Sequence, residues 1–191
     1  MRLQHGSLTV LILAGGSGSR FGDSEKCLVE ILPGVRLLDL VVEKAREHGK
    51  RIVVATSIKH RRIIKWAQEK GLDVVITGCR DYSEDYCMLV NALRGRPLLV
   101  MCGDVLVLGD VVSKLTEARE RVGTVEMVSL CERGSALGVD LVLADRCVPG
   151  VPMSWMCVES QEDKVIDVDR VSDLVTAREL MSRVLASCLI S

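Results

Sequence analysis

LTVLILAGGSGSRFGDSEK, residues 8–26, decides the fold. Its first half is apolar at nearly every position, whichever way successive side chains point. Such a run suits a strand covered on both faces of a sheet. Its second half is glycine and serine with Arg20 and Lys26, so the chain leaves a buried strand into bare backbone carrying two fixed positive charges.

The same kind of run returns in RIVVATS (51–57), DVVIT (73–77) and PLLVMCGD (97–104). Amphipathic stretches separate these runs. LLDLVVEKAREHG (37–49) reads as a helix closed by a capping Gly49, and HRRIIKWAQEKG (60–71) as one closed by Gly71. DYSEDYCMLVNAL (81–93) opens with Asp81 and Glu84 at capping-box spacing, and GDVVSKLTEARERVG (109–123) follows with Asp110 placed as its N-cap. Alternation of this kind predicts a parallel sheet with helices on both faces. From about Val125 the rhythm changes. TVEMVSLCE, VDLVLAD, SWMCVES and DKVIDV are strand-like with no long helix between them, and read as antiparallel or edge pieces. TARELMSRVLASCLI (176–190) makes a last helix, opened by Thr176 and Glu179. The expected fold class is α/β: one Rossmann-like domain over residues 1–191, its sheet mostly parallel and doubly wound, with a small antiparallel C-terminal portion.

Bulk properties exclude several function classes. The net charge is −1 with no run of like charges, which argues against nucleic-acid or membrane-surface binding by bulk electrostatics. An anion site must therefore be local. There is no transmembrane-length apolar run, and MRLQHGSLTV lacks a signal-peptide layout, so a cytoplasmic protein without membrane insertion is expected. The eight cysteines form no C-x-x-C pair and have no histidine at zinc-ligand spacing. They read as buried thiols acting as small hydrophobes, with disulfides the alternative.

Three phosphate loops could account for residues 13–26. A Walker A loop needs Gly-Lys-Ser/Thr, whereas Lys26 stands between Glu25 and Cys27. A dinucleotide fingerprint begun at Gly16 would need glycine where Phe21 stands. What remains is L-x-G-G-x-G-x-R-x-G with a lysine four residues on. Leu13, Ala14, Gly15, Gly16, Ser17, Gly18 and Ser19 would turn backbone N–H groups to an anion. Arg20 would grip pyrophosphate with a planar fork and Lys26 would place a point charge near the α-phosphate. Asp104 closes the strand PLLVMCGD, where a carboxylate is costly unless a cation such as Mg²⁺ uses it. Asp167 and Asp169, two residues apart, are candidates to complete that metal shell, with exposed edge-strand acids the bland alternative. None of His5, His48 and His60 has a persuasive catalytic setting. A phosphate nucleophile, already anionic, would need no general base.

LAGGSGSRFGDSEK resembles the signature of the nucleotidyltransferases that make sugar nucleotides and nucleotide-tailed cofactors. The resemblance implies a nucleotide-diphospho-sugar transferase-like fold, transfer of a nucleoside monophosphate from an NTP to a phosphate, and Mg²⁺ on the Asp104 position. The segments ATS, DYSEDYCMLVNAL, CGDVLVL, SWMCVES and VIDVDRVSDLVTAREL look most like the guanylyltransferases of cobalamin synthesis. That narrower likeness implies GTP and a phosphorylated corrinoid as the small-molecule partners. It also puts Thr56 and Ser57 by the base, and Tyr82, Glu84 and Asp85 at the nucleotide pocket. Plain helix capping is the other reading of Glu84 and Asp85. The molybdenum-cofactor guanylyltransferases share the loop, Asp104 and the size, and a small sugar-phosphate nucleotidyltransferase is a further alternative. A non-catalytic nucleotide sensor would be favoured by loss of Arg20, Lys26 or Asp104, and all three are present. The apolar piece VDLVL is either core or an edge that pairs in a homodimer.

Overall fold

Runs apolar on both faces become the middle of the sheet. The computed structural model describes residues 6–78, 81–93, 97–160 and 165–188. In chain order the elements are β1 (Gly6–Leu13), β2 (Glu30–Leu32), β3 (Val35–Arg36), α1 (Leu37–His48), β4 (Gly49–Ser57), α2 (Arg61–Glu69), β5 (Asp73–Thr77) and α3 (Tyr82–Ala92). There follow β6 (Leu98–Cys102), β7 (Val105–Val107), α4 (Val111–Val122), β8 (Met127–Glu132), β9 (Ser135–Val142), β10 (Trp155–Glu159), β11 (Val165–Asp167) and α5 (Val171–Cys188). The main sheet runs β10-β8-β9-β6-β1-β4-β5. β1 pairs in parallel with both β4 and β6, and β4 with β5. β9 is antiparallel to β6 and β8, and supplies the expected change of direction.

Alternation along β1 feeds two cores. Val10 and Ile12 pack with Val54, Leu99 and Met101 against Val41, Ile63 and Leu115 from α1, α2 and α4. Leu11 points the other way and joins Val53, Val100, Leu89 and Val90, the last two from α3. A third cluster, with Ile31, Leu106, Val168, Leu174 and Ala177, seats α5 over the β2 and β7 region. Each fully buried Leu, Val or Ile contributes about 1.5–3 kcal/mol relative to exposure, so a sheet with two covered faces holds with few aromatics, Trp66 and Tyr86 among them.

Two local expectations need correction, the start of α5 and the state of the cysteines, and two others are refined. Gly49 does cap α1, donating its N–H to the Ala45 carbonyl, but not in a left-handed conformation. It begins β4 in extended backbone (φ −146°), and is glycine because a Cβ there would meet the Leu8 carbonyl oxygen at 2.5 Å. α5 starts at Val171, before Thr176, because Asp173 Oδ2 accepts from the Asp169 and Arg170 N–H groups at 3.0 and 2.7 Å and stabilises an earlier first turn. VDLVL is core: β9 lies between β6 and β8, with Val139, Leu141 and Val142 buried, so that segment offers no edge to a second copy. Finally, disulfides join Cys87 to Cys147 and Cys131 to Cys157, while Cys27 and Cys102 remain thiols. Cys79 lies outside the described residues. Expected features that do form include the Asp81 cap, whose side chain accepts from Glu84 N–H, and the Asp110 cap on Ser113 N–H.

The Cys87–Cys147 bond closes a loop with a sequence separation of 60 and holds the irregular chain before β10 against α3. Cys147→Ser should lower the unfolding free energy by about 2–4 kcal/mol, measured by denaturant titration. A loss below 0.5 kcal/mol, or alkylation of Cys147 in the folded, unreduced protein, would show that the pair is not bonded.

Candidate active site

The phosphate-loop candidate starts where the ladders of β1 run past their strands. Ala14 N–H donates to the Ala55 carbonyl and Gly103 N–H to the Leu13 carbonyl, both at 2.8 Å, so the ends of β1, β4 and β6 stay in register as loops begin. This is the carboxyl edge at which open α/β sheets bind ligands. Gly18 then turns with φ +60°, and a Cβ there would lie 1.9 Å from the Asp23 carbonyl oxygen, so no other residue fits. Its own carbonyl accepts from Phe21 and Gly22 N–H, which closes the turn.

Two acids that had no reading in the sequence fix the far side of this loop. Arg62, on α2, donates to Asp23 through Nη2 (2.9 and 2.7 Å) and to Glu25 through Nε (2.6 Å). Glu25 also accepts from Ile63 N–H at 3.0 Å. Arg62 therefore holds the Asp23 carboxyl below the usual range. The signal available beforehand was a pair of acids inside an otherwise cationic loop, with HRRIIKW starting the next helix but one. The distance in sequence hid the pairing.

Lys26 Nζ lies between two carboxylates, 2.9 Å from Asp104 and 2.5 Å from Asp169. Arg20 donates through Nη1 to the other oxygen of Asp169 at 2.6 Å. The Lys26 side chain is 11% exposed. Burial pulls its pKa down, but Asp104 and Asp169 outweigh that and leave it raised. The hydrogen bond from Lys26 holds the Asp169 carboxyl below its ordinary range, and the bond from Arg20 adds to this. Asp169 is set in place by the same Asp173 contacts that start α5, and Val168 N–H donates to the Asp104 carbonyl at 2.9 Å. The loop, the end of β6 and the chain after β11 thus meet at one ammonium.

Asp104, Asp167 and Asp169 each place a carboxylate oxygen within 4.8 Å of the others. Asp167 is exposed, yet partial crowding by the surrounding chain, with the charges of Asp104 and Asp169, pushes its carboxyl pKa up to about 6. Gathered carboxylates are an all-oxygen, hard donor set of the kind Mg²⁺ or Mn²⁺ takes, and not one for zinc. The chain's own residues therefore fit a divalent cation.

Two cavities meet at this point. One of about 280 Å³ is lined by Gly16, Ser17, Gly18, Ser19, Arg20 and Lys26 with Asp104 and Asp169. The second, also about 280 Å³, runs from Leu13, Gly15, Gly16 and Ala55 past Thr77 and Asp81 to Tyr82, Asp85 and Tyr86, and returns to Asp104. Gly16 and Asp104 belong to both. Of the residues expected by the base, Tyr82 and Asp85 line the second cavity. Glu84 is exposed and does not; its backbone N–H goes to the Asp81 carboxylate. Thr56 and Ser57 are buried beneath the pocket. Thr56 donates to the Ala14 carbonyl at 2.7 Å and contacts His60 Nδ1 at 3.1 Å, so it supports the loop from below, and Ala55 faces the cavity. Thr77, Asp81, Tyr86 and Cys102 line it too, and no motif announced them.

A glycine turn carrying two cations at the carboxyl edge of a buried strand, facing an acid from the adjoining strand, is the arrangement of an enzyme that handles nucleotides. The chain belongs to the MobA-like NTP transferase domain family, whose model matches residues 10–155. It is a nucleotidyltransferase. No curated protein matches the sequence. Solved structures share the fold: HddC from Yersinia pseudotuberculosis (16% identity, TM-score 0.67, covering 91% of this chain and 99% of that one). An Rv0371c homologue from Mycobacterium sp. strain JC1 is similar (17%, 0.66, 93% and 100%). So is a putative glucose-1-phosphate thymidylyltransferase from Bacillus anthracis in complex with sucrose (12%, 0.62, 91% and 95%). No helix among the described residues is long and apolar enough to cross a membrane.

Arg20→Ala and Lys26→Ala should each slow nucleotidyl transfer about a hundredfold, since one charge-assisted contact to the transition state is worth about 2–4 kcal/mol. The two should separate in stability. Arg20 is exposed and its loss should leave Tm unchanged, whereas loss of Lys26 leaves Asp104 and Asp169 facing each other and should lower Tm. Turnover near wild type in both variants would refute these roles.

Proposed function

We propose that the protein transfers GMP from GTP to the phosphate of a phosphorylated corrinoid, adenosylcobinamide phosphate, with release of pyrophosphate, and that residues 1–191 act as one nucleotidyltransferase domain. The observation that carries this reading is the junction of the two cavities at Gly16 and Asp104. A triphosphate in the cationic cavity would have its nucleoside in the adjoining one, with the α-phosphorus at the junction. Asp85, on the wall of the nucleoside cavity, supports guanine: a carboxylate can accept both N1–H and the 2-amino group, and adenine presents no such pair on one edge.

The chain's own residues would work as follows. Backbone N–H groups of residues 15–19 wrap the phosphates, and Lys26 faces the α-phosphate. An acceptor phosphate oxygen forms a bond to the α-phosphorus as the bond to the bridging oxygen of the β-phosphate breaks. Pyrophosphate leaves with the electron pair, its charge countered by Arg20. The nucleophile is already anionic, so no proton must be removed. A divalent cation held by Asp104, Asp167 and Asp169 would offset charge on the transferring phosphate and the leaving group. A second reading, which rests on the same sequence resemblance, makes the acceptor the molybdenum cofactor.

Pyrophosphate release should require GTP with adenosylcobinamide phosphate, and should fall at least tenfold with ATP or CTP, as one lost pair of buried hydrogen bonds demands. Release with the molybdenum cofactor alone would move the assignment to the second reading. GTP binding without turnover on any phosphate would refute the transfer.

A further inference from the structure

Beyond the nucleoside cavity lies a third, of about 420 Å³. Tyr82 and Tyr86 line both and form the partition, their rings 5.7 Å apart. The walls are apolar: Met127, Val151, Pro152, Met153 and Trp155, with the Cys87–Cys147 disulfide beside them. Val151 and Trp155 are exposed (61% and 49%), so the mouth is open and greasy. The floor is different. Asp140 on β9 and Ser129 on β8 are cross-strand partners and line the cavity together. Asp140 is 8% exposed and Ser129 1%. Asp140 Oδ1 and Ser129 Oγ have no partner outside this pair among the described residues, and the Ser129 hydroxyl beside it only moderates the rise that burial gives the Asp140 carboxyl.

Buried polar atoms are nearly always fully paired, and leaving a carboxyl and a hydroxyl with no partner beyond each other inside an apolar chamber is costly. A protein that keeps such a pair facing a cavity has it available for a ligand. An acceptor oxygen beside a hydroxyl matches one group especially well. A primary carboxamide can donate N–H to Asp140 while its carbonyl accepts from Ser129. The walls set the rest of the ligand. A hexose ring would leave most of its hydroxyls against methionine, proline and tryptophan, whereas a large apolar body with amide arms would bury its surface there.

We propose that this cavity is the acceptor subsite and that Asp140, with Ser129, is a specificity-determining pair that recognises a carboxamide on an otherwise apolar acceptor. The inference deepens the guanylyl-transfer reading and rests on it for the acceptor's phosphate. The partition by Tyr82 and Tyr86 places the acceptor body on the far side of the nucleoside, with the β6 end that carries Asp104 bordering the nucleoside side.

The test uses the full chain with Asp140→Leu, Asp140→Asn, Ser129→Ala and Trp155→Ala, and reads KM for GTP and for adenosylcobinamide phosphate separately. Calorimetric titration with cobinamide, which has the amide-bearing ring and no phosphate, is run alongside. Asp140→Leu should raise the acceptor KM about tenfold or more with the GTP KM within about twofold, and Asp140→Asn, which keeps a carbonyl acceptor, should recover most of that loss. Cobinamide should bind the wild type and bind Asp140→Leu at least about tenfold more weakly. Turnover with an unchanged acceptor KM and unchanged cobinamide binding in Asp140→Leu overturns the subsite and leaves the transfer reading standing. Asp140-dependent cobinamide binding without turnover does the reverse. A wild type that neither turns over the corrinoid nor binds cobinamide overturns both. Should Asp140→Leu fail to fold, Ser129→Ala and Trp155→Ala decide, and an acceptor KM unmoved in both overturns the proposal.

Discussion

A single ammonium organises this molecule. Lys26 Nζ sits 2.9 Å from Asp104 and 2.5 Å from Asp169, and so ties together three pieces of chain widely separated in sequence. A mostly buried charge must be paired, and removing one partner leaves the others exposed to uncompensated repulsion. The glycine loop therefore cannot be considered apart from the segment after β11. The family match ends at residue 155, yet Asp169, which holds both cations of the loop, lies beyond it.

This pairing has a consequence for ligand binding. Both cations of the loop are paired with one carboxylate of the chain, Asp169. A triphosphate would bind by exchange: Arg20 and Lys26 would pass from Asp169 to phosphate oxygens, and Asp169 would be freed toward a cation beside Asp104 and Asp167. The triphosphate would bring several negative charges where Asp169 offered one, so its entry would be balanced by the divalent cation as well as by Arg20 and Lys26. The Arg20 side chain is 70% exposed and that of Lys26 11%, so the exchange at Arg20 would disturb less of the surrounding chain.

The framework was readable because its physics is periodic. Val10, Leu11 and Ile12 are buried on alternating faces, and only a strand between two helical layers needs such a run. The loop was readable because its residue types are unusual in combination. What escaped depends on distance or on ambiguity. Gly49 suits a helix end and a close strand approach equally well, and only the Leu8 carbonyl decides. Thr56 lies near the end of β4, where a base contact is expected, yet its hydroxyl goes to the Ala14 carbonyl beneath the loop. Glu84 and Asp85 are neighbours, and helix phase alone turns one to solvent and the other to the cavity. The Arg62 clasp on Asp23 and Glu25, the two disulfides and the facing of Asp140 by Ser129 all join residues that no local pattern connects.

The claim at the centre of this account is that the loop cations trade a carboxylate for phosphates. A crystal structure grown with Mg²⁺ and a non-hydrolysable GTP analogue tests it most directly. The account predicts Arg20 and Lys26 on phosphate oxygens, and Asp169 turned from them to the cation. A bound nucleotide with Arg20 and Lys26 still paired to Asp169 would contradict it.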